Sequence, residues 1–282
     1  MANKTCIAIF SAESVDHTYL AYYNKLSALI DSDLKLITPE NTSKAEEYKT
    51  NLTFLTDEEI LENIYLNRSK YVFPRAKWYV QQLIKLSAAD LLFRQYTTVI
   101  IVDGDTLISK RTLNLARPVV DKIENRAYLE MFKLLGYEEH WTTSAQELLN
   151  VKVSPIVNFG IWERETFQFC LSSSSVKFNE WIDVIADDNH HKICQAESPI
   201  FSEYLLLFVA KILQNRTTRK KDPLNPIRTF RRADLLWTSK KKVMSCMSKN
   251  KYDMVAFEKN HSSTLLKKLI AQLFWDLSID IK

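Results

Sequence analysis

The stretch that decides the fold is Val99–Ser109, VIIVDGDTLIS, in which an apolar run leads into Asp-Gly-Asp. Its first four residues are apolar and β-branched, which predicts a strand buried on both faces of a central sheet. Asp103 and Asp105 follow the carboxyl end of that strand. Because side chains two residues apart point the same way in an extended chain, we expect the two carboxylates to converge. Gly104, which lies between them, is expected to leave room for a ligand at the backbone.

Two carboxylates this close favour a cation or a proton between them, because like charges repel. A hard divalent cation, Mg²⁺ or Mn²⁺, satisfies this condition when carboxylate oxygens and ligand phosphates bind it together. The alternative interpretation is a strand that ends in a solvated Asp-Gly turn. Three residues alone do not separate the two interpretations.

Length and composition restrict the class of protein. The chain has 282 residues, of which 46% are hydrophobic, enough for one large α/β domain or for one domain with a small appendage. The N-terminal apolar run is too short for a signal peptide, and no apolar stretch reaches the length of a membrane span, so we expect a cytoplasmic protein. The cysteines lack Cys-x-x-Cys spacing, which predicts reduced, mostly buried thiols. They are Cys6, Cys170, Cys194 and Cys246.

Glycine is scarce in this sequence. The chain contains only Gly104, Gly136 and Gly160. A glycine-rich loop that cradles a pyrophosphate cannot be built from them, so the dinucleotide-binding fingerprint and the P-loop are excluded. If the protein handles phosphates, it must use a metal ion and side chains.

The order of the predicted elements is that of a mostly parallel sheet flanked by helices. A strand in TCIAIFSAE, a helix over residues 17–30 and a strand in LKLIT form a β-α-β opening. Apolar spacing over Ala76–Phe93 predicts a helix that leads directly into the strand of the opening stretch. This order places a site at the carboxyl ends of the strands. Further predicted elements are a helix over residues 125–135, a strand in VSPIVNFGIW, a helix over residues 198–213 and a strand in KYDMVAFEKNHSS.

The segment WYVQQLIKLSAADLLFRQYTTVIIVDGDTLIS, residues 78–109, resembles the region around the DxD motif of GT-A type glycosyltransferases. In those enzymes a helix precedes a strand that ends in the metal-binding acids. More narrowly, the sequence is similar to a bacterial group from surface-polysaccharide (capsule or O-antigen) gene clusters, also in the segments PIVNFG (residues 155–160) and SEY (residues 202–204). The resemblance implies a GT-A-like, Rossmann-like α/β fold. Residues 1–210 would form the nucleotide-sugar-binding catalytic core, and residues 211–282 a helical, basic subdomain that completes the core on the acceptor and membrane side.

The activity that the resemblance implies is metal-dependent transfer of a sugar from a nucleotide-sugar donor, a UDP-sugar, to a glycan or lipid-linked acceptor in bacterial surface polysaccharide synthesis. Mn²⁺ or Mg²⁺ would stabilise the charge that develops on the leaving diphosphate. The implied metal ligands are Asp103, Asp105 and His261, although His261 is equally well explained as a surface histidine. The implied donor-binding residues are Phe10, Ser11, Gln82, Lys85, Asp103, Gly104 and Asp105. The alternative for Lys85 is a solvated lysine on a helix face.

On the acceptor side, the resemblance implies a carboxylate base from an element after the metal site. Glu203 is predicted as this base, because it lies near a helix N-terminus, where the helix dipole favours an ionised carboxylate. The alternative is that Glu203 only stabilises its own helix, in which case Asp183, Asp187 and Asp188 are the reserve candidates. The predicted acceptor-binding residues are Asn158, Phe159, Gly160 and Trp162, with core packing as the alternative for the tryptophan.

Two other functions compete with sugar transfer. Haloacid-dehalogenase-like phosphatases use an apolar strand that ends in Asp-x-Asp-x-Thr, but Thr106 comes one place too early for that pattern. Nucleic-acid binding is suggested by residues 211–251, whose net charge is +11 whereas the rest of the chain carries −7. No recognisable nucleic-acid module accompanies this segment. Anionic lipid headgroups explain it equally well, and with the amphipathic tail LLKKLIAQLFWDL they favour a peripheral position on the inner face of the membrane. Taken alone, the tail is better explained as a helix that closes the core.

Overall fold

A five-stranded sheet forms the centre of the computed structural model, which describes residues 4–11, 17–38, 53–56, 60, 76–113, 127–149, 159–187, 201–214, 230–232, 245, 247, 249 and 254–256. The described strands are β1 (Thr5–Phe10), β2 (Ser32–Thr38), β3 (Thr53–Thr56), β4 (Thr98–Asp103), β5 (Thr106–Ile108), β6 (Phe159–Glu163), β7 (Phe230–Arg232) and β8 (Met254–Ala256). The central sheet has the order β3-β2-β1-β4-β6. Its first four strands are parallel, and β6 runs antiparallel to β4.

Helices flank this sheet. They are α1 (His17–Leu29), α2 (Ala76–Leu92), α3 (Lys110–Leu113), α4 (Ala127–Leu134), α5 (Glu139–Leu149), α6 (Arg164–Ser172), α7 (Trp181–Ala186) and α8 (Glu203–Gln214). The predicted α/β class with a mostly parallel sheet is therefore confirmed. The helix predicted over residues 198–213 begins later, at Glu203. Over the described parts of the chain, no helix combines the length and the apolar character needed to cross a membrane.

The strand order reverses between β1 and β4. From β1 the chain passes through α1 to β2 and then β3, and it returns through α2 to β4 on the other side of β1. Phe10, the last residue of β1, pairs in register with Asp103, the last residue of β4. The carboxyl ends of these two strands therefore finish side by side at the point where the sheet changes direction.

The core lies on both faces of β4. Val99 and Ile101 belong to the cluster that contains α2 and α8, whereas Ile100 and Val102 belong to the cluster that contains α1. This alternation follows from the two-residue period of a strand. The predicted burial of the apolar run on both faces is confirmed, and Asp103 continues the series on the α2 side.

A second, three-stranded sheet has the order β5-β8-β7. β5 is antiparallel to β8, and β8 is parallel to β7. Leu107 of β5 packs in the same cluster as Met254 and Val255 of β8. The Asp-Gly-Asp turn leaves β4 in the first sheet and enters β5 in the second, so it lies at the junction of the two sheets. The boundary predicted at residue 210 stays a prediction.

The two described cysteines are buried. Cys6 lies on β1 and Cys170 on α6, and both are free thiols. Burial raises the pKa of each thiol to about 12. The prediction of reduced, buried cysteines is confirmed for this pair, whereas Cys194 and Cys246 lie outside the described residues.

Candidate functional site

The ends of three neighbouring strands are tied together at the Asp-Gly-Asp turn. The Gly104 amide donates a hydrogen bond to the Phe10 carbonyl, with 2.5 Å between nitrogen and oxygen. The Ser11 amide donates to the Ile37 carbonyl of β2 at 3.0 Å. The structure therefore brings together five of the predicted donor-binding residues, those at positions 10, 11, 103, 104 and 105.

Gly104 has a different role from the one predicted. A Cβ atom added at Gly104 would lie 2.8 Å from the Phe10 carbonyl oxygen and 2.8 Å from both Cβ and Oγ of Ser11. The space that a side chain would occupy is thus filled by β1, not kept open for a ligand. The glycine allows the two chain ends to approach closely, and the prediction of a ligand against its missing side chain is corrected.

The ammonium group of Lys85, on α2, pairs with Asp103, the first carboxylate of the Asp-Gly-Asp turn. Its ammonium nitrogen lies 2.5 Å from Oδ1 of Asp103 and 2.8 Å from Oε1 of Glu203. The lysine is buried, being only 1% exposed, so the interpretation of Lys85 as a solvated lysine is wrong. The charge that two adjacent carboxylates require is supplied in part by the protein itself.

Glu203 is the first residue of α8 and is completely buried. Gln82, one turn before Lys85 on α2, is assigned with its amide nitrogen toward Glu203, because that orientation places a donor against the carboxylate. Its nitrogen then faces both oxygens of the Glu203 carboxylate, Oε2 and Oε1, with Oε1 at 3.0 Å. The Tyr204 hydroxyl lies 3.5 Å from the lysine nitrogen, which stands 5.1 Å from the centre of that ring. We call Gln82, Lys85, Asp103, Glu203 and Tyr204 the Lys85 cluster.

The Lys85 cluster keeps its lysine charged. Burial disfavours the ammonium form, but the carboxylates of Asp103 and Glu203 outweigh this effect and raise the lysine pKa above its ordinary value. With the carboxylates ionised, the cluster and Asp105 together hold three negative charges and one positive charge. One divalent cation would balance the resulting net charge of −2.

Asp105, like Asp103, is partly exposed, and its Oδ1 accepts a hydrogen bond from the Thr106 hydroxyl at 3.2 Å. Within the described part of the chain, no three side chains of His, Cys, Asp or Glu converge as a metal site of protein ligands alone would need. The predicted third ligand, His261, lies outside the described residues. Oxygen atoms of one or two carboxylates nevertheless fit Mg²⁺ or Mn²⁺, since these ions complete their shell with substrate phosphates and water.

The predicted acceptor-binding residues on β6 pack in the core. Trp162 is 0% exposed and meets Phe167 edge-on, with 5.5 Å between ring centres. Phe159 is also buried. A Cβ atom on Gly160 would lie 3.0 Å from the Tyr204 ring, so this glycine lets α8 approach β6. We therefore revise the predicted role of these three residues from acceptor contact to packing, and Asn158 lies outside the described residues.

The predicted catalytic carboxylates are found in contrasting environments. A general base must reach the hydroxyl proton that it removes. Glu203 is enclosed by protein and engaged by Lys85, so we revise its predicted role from base to partner of the lysine. Asp187 is exposed directly after α7, and Asp188 lies outside the described residues.

Sequence reasoning missed the pairing of Lys85 with Glu203. A usable signal was present, because Lys85 lies between the apolar residues Ile84 and Leu86 of its helix and a run of apolar residues follows Glu203. Such helices are buried, and a charge within them needs a partner of opposite sign. The reasoning also missed Tyr22 and Tyr23 of α1, whose hydroxyls donate to carbonyl groups of β5.

The family of the chain is established by sequence comparison. Residues 23–261 match the model of the family described as "Family of unknown function (DUF6492)", and the chain belongs to this family. No curated protein matches the sequence.

Three solved structures show a remote likeness to the chain. The apo form of mouse xyloside xylosyltransferase 1 is 10% identical, with 93% of this chain and 99% of that chain covered and a TM-score of 0.39. A mycobacterial protein is 11% identical, with 77% and 74% covered and a TM-score of 0.35. The galactosyltransferase LgtC, in complex with donor and acceptor sugar analogues, is 10% identical, with 97% and 95% covered and a TM-score of 0.30. Likenesses at this level carry no argument about activity.

Proposed function

We propose that this member of the DUF6492 family is a metal-dependent glycosyltransferase with a GT-A-like architecture. The observation that carries the proposal is the position of Asp103 and Asp105. Asp103 is the last residue of β4 and Asp105 follows it closely, so both lie beside the end of β1, where the strand order reverses. Open α/β sheets bind their ligands at this point. The resemblance of residues 78–109 to the DxD region of GT-A enzymes supports the same conclusion.

The proposed donor is a nucleotide sugar, with a UDP-sugar as the first candidate. Asp105 and the Asp103 oxygen that does not face Lys85 are the groups that would hold Mn²⁺ or Mg²⁺. When bound, such an ion acts as a Lewis acid that stabilises the leaving diphosphate. Ser11, which follows β1 and adjoins Gly104, is the proposed contact from the neighbouring strand.

The proposed reaction exchanges one bond of the sugar for another. The bond from the anomeric carbon to a diphosphate oxygen breaks, and a bond from that carbon to an acceptor hydroxyl oxygen forms. The hydroxyl proton must pass to a base. The exposed Asp187 and its neighbour Asp188 are the proposed candidates on the protein, and a retaining mechanism needs no base from the enzyme.

The proposed acceptor is a glycan or a lipid-linked glycan of bacterial surface polysaccharide synthesis. The basic segment 211–251 supports a place on the inner face of the membrane, because anionic headgroups attract clustered lysines and arginines. Most of this segment, like the amphipathic tail, lies outside the described residues.

A thermal-shift screen of nucleotides with and without Mn²⁺ tests the proposed function. Ligands that bind the folded state raise the melting temperature. We expect one nucleoside diphosphate, with UDP as the first candidate, to stabilise the chain only when Mn²⁺ is present. Stabilisation by phosphomonoesters or beryllofluoride instead would favour a phosphatase that uses Asp103 as its nucleophile.

The variant Asp105→Asn tests the assignment of the turn. The amide keeps the shape of the side chain but loses the charge that holds a cation, so we expect Mn²⁺-dependent nucleotide stabilisation and sugar transfer to be lost while the fold persists. Asp31→Asn is the matched control, because Asp31 is exposed and has a positive φ of 49°, which asparagine also adopts. Metal-dependent stabilisation that survives in Asp105→Asn would contradict the assignment.

A further inference from the structure

Lys85 is shared between two carboxylates that come from distant parts of the chain. Asp103 ends β4 and is partly exposed, whereas Glu203 begins α8 and is completely buried. One ammonium group can compensate one carboxylate in full. Because Lys85 contacts both, the group of three retains one negative charge.

We propose that Glu203 is a positioning residue: it holds the Lys85 ammonium at the end of β4 and shares its charge, so that Asp103 stays negative enough to help bind a divalent cation. This inference rests on the proposed function and specifies how the protein sets the charge of that site. Without the Glu203 carboxylate, the same ammonium would neutralise Asp103, and the net charge of the cluster with Asp105 would change from −2 to −1.

The surroundings of Glu203 suit a fixed counter-charge. The Gln82 amide donates to its carboxylate, and the helix N-terminus favours its ionised form. The hydroxyl oxygen of Ser202 accepts a hydrogen bond from the Tyr204 amide at 3.2 Å, which secures the first turn of α8. The same helix is held against β6 at Gly160. A side chain on such a rigid element keeps its geometry.

Stability alone does not explain this arrangement. Replacing a buried ion pair by apolar residues of similar volume is often neutral or stabilising. Most buried positions of the two helices that carry the pair are apolar, as with Leu86 and Leu206, and the buried polar residue beside it, Gln82, bonds to Glu203. A charged pair that is retained in such a place, with one end at a partly exposed carboxylate, points to control of the charge at the turn.

Calorimetric titration of the full chain with Mn²⁺ in the presence of saturating UDP tests the inference. Glu203→Gln keeps the size of the side chain and removes its charge, so we expect Mn²⁺ to bind about tenfold more weakly or worse, as for other groups that support metal ligands. Glu203→Asp keeps the charge and should recover part of the affinity. Glu163→Gln is the matched control. Glu163 lies at the end of β6 and contacts, near the surface, Lys211 of α8, the helix that also carries Glu203. Its Mn²⁺ affinity should equal that of the wild type.

The double variant Lys85→Met/Glu203→Gln provides a second test. It removes the charges of Lys85 and Glu203 together, so the carboxylate that loses its partner is that of Asp103, whose side chain is partly exposed, and the double variant can fold even if Glu203→Gln does not. It also restores the net charge of −2, and we expect its Mn²⁺ affinity to return toward the wild-type value. A double variant that binds Mn²⁺ as weakly as Glu203→Gln, or about tenfold more weakly than the wild type, would overturn the inference.

Three further results separate this inference from the proposed function. Equal Mn²⁺ affinities in the wild type and Glu203→Gln overturn the inference alone. A fall in turnover in Glu203→Gln at saturating Mn²⁺, with unchanged affinity for the ion, also overturns it and makes Glu203 a general base. A wild-type chain that binds no Mn²⁺ even in the presence of UDP overturns the metal site of the proposed function and this inference with it.

Discussion

Individual atoms around Gly104 decide how closely β1 and β4 can end. The Phe10 carbonyl and the Ser11 side chain occupy the place where a Cβ atom would stand, 2.8 Å away. At Gly160 the nearest atoms to an added Cβ belong to the Tyr204 ring, at 3.0 Å and 3.1 Å. The first obstacle includes backbone, whereas the second is a side chain that can shift. The two glycines therefore differ in what a methyl group would cost.

At the residue scale, we predict that Gly104→Ala lowers the free energy of unfolding by about 1–3 kcal/mol, because overpacking forces the backbone to move. The displaced turn should also bind Mn²⁺ more weakly. Urea unfolding and Mn²⁺ titration measure the two effects. Gly160→Ala is the comparison, and its loss of stability should be smaller. Adding Ser11→Gly to Gly104→Ala should recover part of the stability, since it removes two of the three close contacts. An equal loss at both glycines would contradict this account.

At the scale of elements, α1 holds β5 in place. The Tyr22 hydroxyl donates to the Ile108 carbonyl at 2.7 Å, and the Tyr23 hydroxyl donates to the Thr106 carbonyl at 2.8 Å. β5 begins directly after Asp105, so these two bonds fix the strand into which the turn leads. Burial raises the pKa of both tyrosines above its ordinary value, which keeps the hydroxyls protonated as donors.

We predict that Tyr23→Phe lowers the free energy of unfolding by about 1–3 kcal/mol, because it leaves the Thr106 carbonyl without this partner in the interior. Tyr22→Phe should have a smaller effect, since Tyr22 is only partly buried and water can replace its hydroxyl. Urea unfolding of both variants measures the difference. If Tyr22→Phe destabilises the chain more than Tyr23→Phe, burial of the carbonyl is not the determining factor.

Elements with a strong local pattern were predictable from the sequence. The apolar run before Asp103 and the helical spacing before it identified β4 and α2, and the β-α-β opening matched β1, α1 and β2. The antiparallel direction of β6 and the second sheet were not predictable, because they depend on pairing between distant segments. The start of α8 was placed five residues early, since Ser198-Pro199 also has the pattern of a helix N-terminus.

At the scale of the whole molecule, the candidate site also has a part that the sequence predicted and a part that it did not. The turn was predicted because its residues are adjacent in the sequence. The bond between Lys85 and Glu203 joins positions 118 residues apart and exists only once α2 and α8 pack. Trp162 was assigned to an acceptor because aromatic residues often bind sugars, yet its partner strand and helix enclose it. The charges of Lys85 and Glu203 within apolar helices were therefore a better guide to the site than the aromatic character of Trp162.

Buried weak acids in the core on the α2 side of the sheet make the stability of the whole molecule depend on alkaline pH. Cys6 lies in the first strand, and Cys170 contacts the Tyr137 hydroxyl, with 3.4 Å between sulfur and oxygen. Burial raises the pKa of both thiols from about 9 to about 12, and that of Tyr137 well above its ordinary value of 10. In each case the folded chain keeps a proton that the unfolded chain releases.

We therefore predict that these groups leave stability nearly unchanged between pH 7 and 8 and lower it as the pH rises through 9 toward 12. In this window the unfolded chain binds fewer protons than the folded chain, so each buried thiol lowers the free energy of unfolding by up to about 1.4 kcal/mol per pH unit. Urea unfolding at pH 7, 8, 9 and 10 measures the slope. Cys6→Ala should be less stable than the wild type at pH 7 but should lose less stability between pH 9 and 10. Equal slopes in the two proteins would show that the Cys6 thiol ionises in the folded chain as readily as in the unfolded chain.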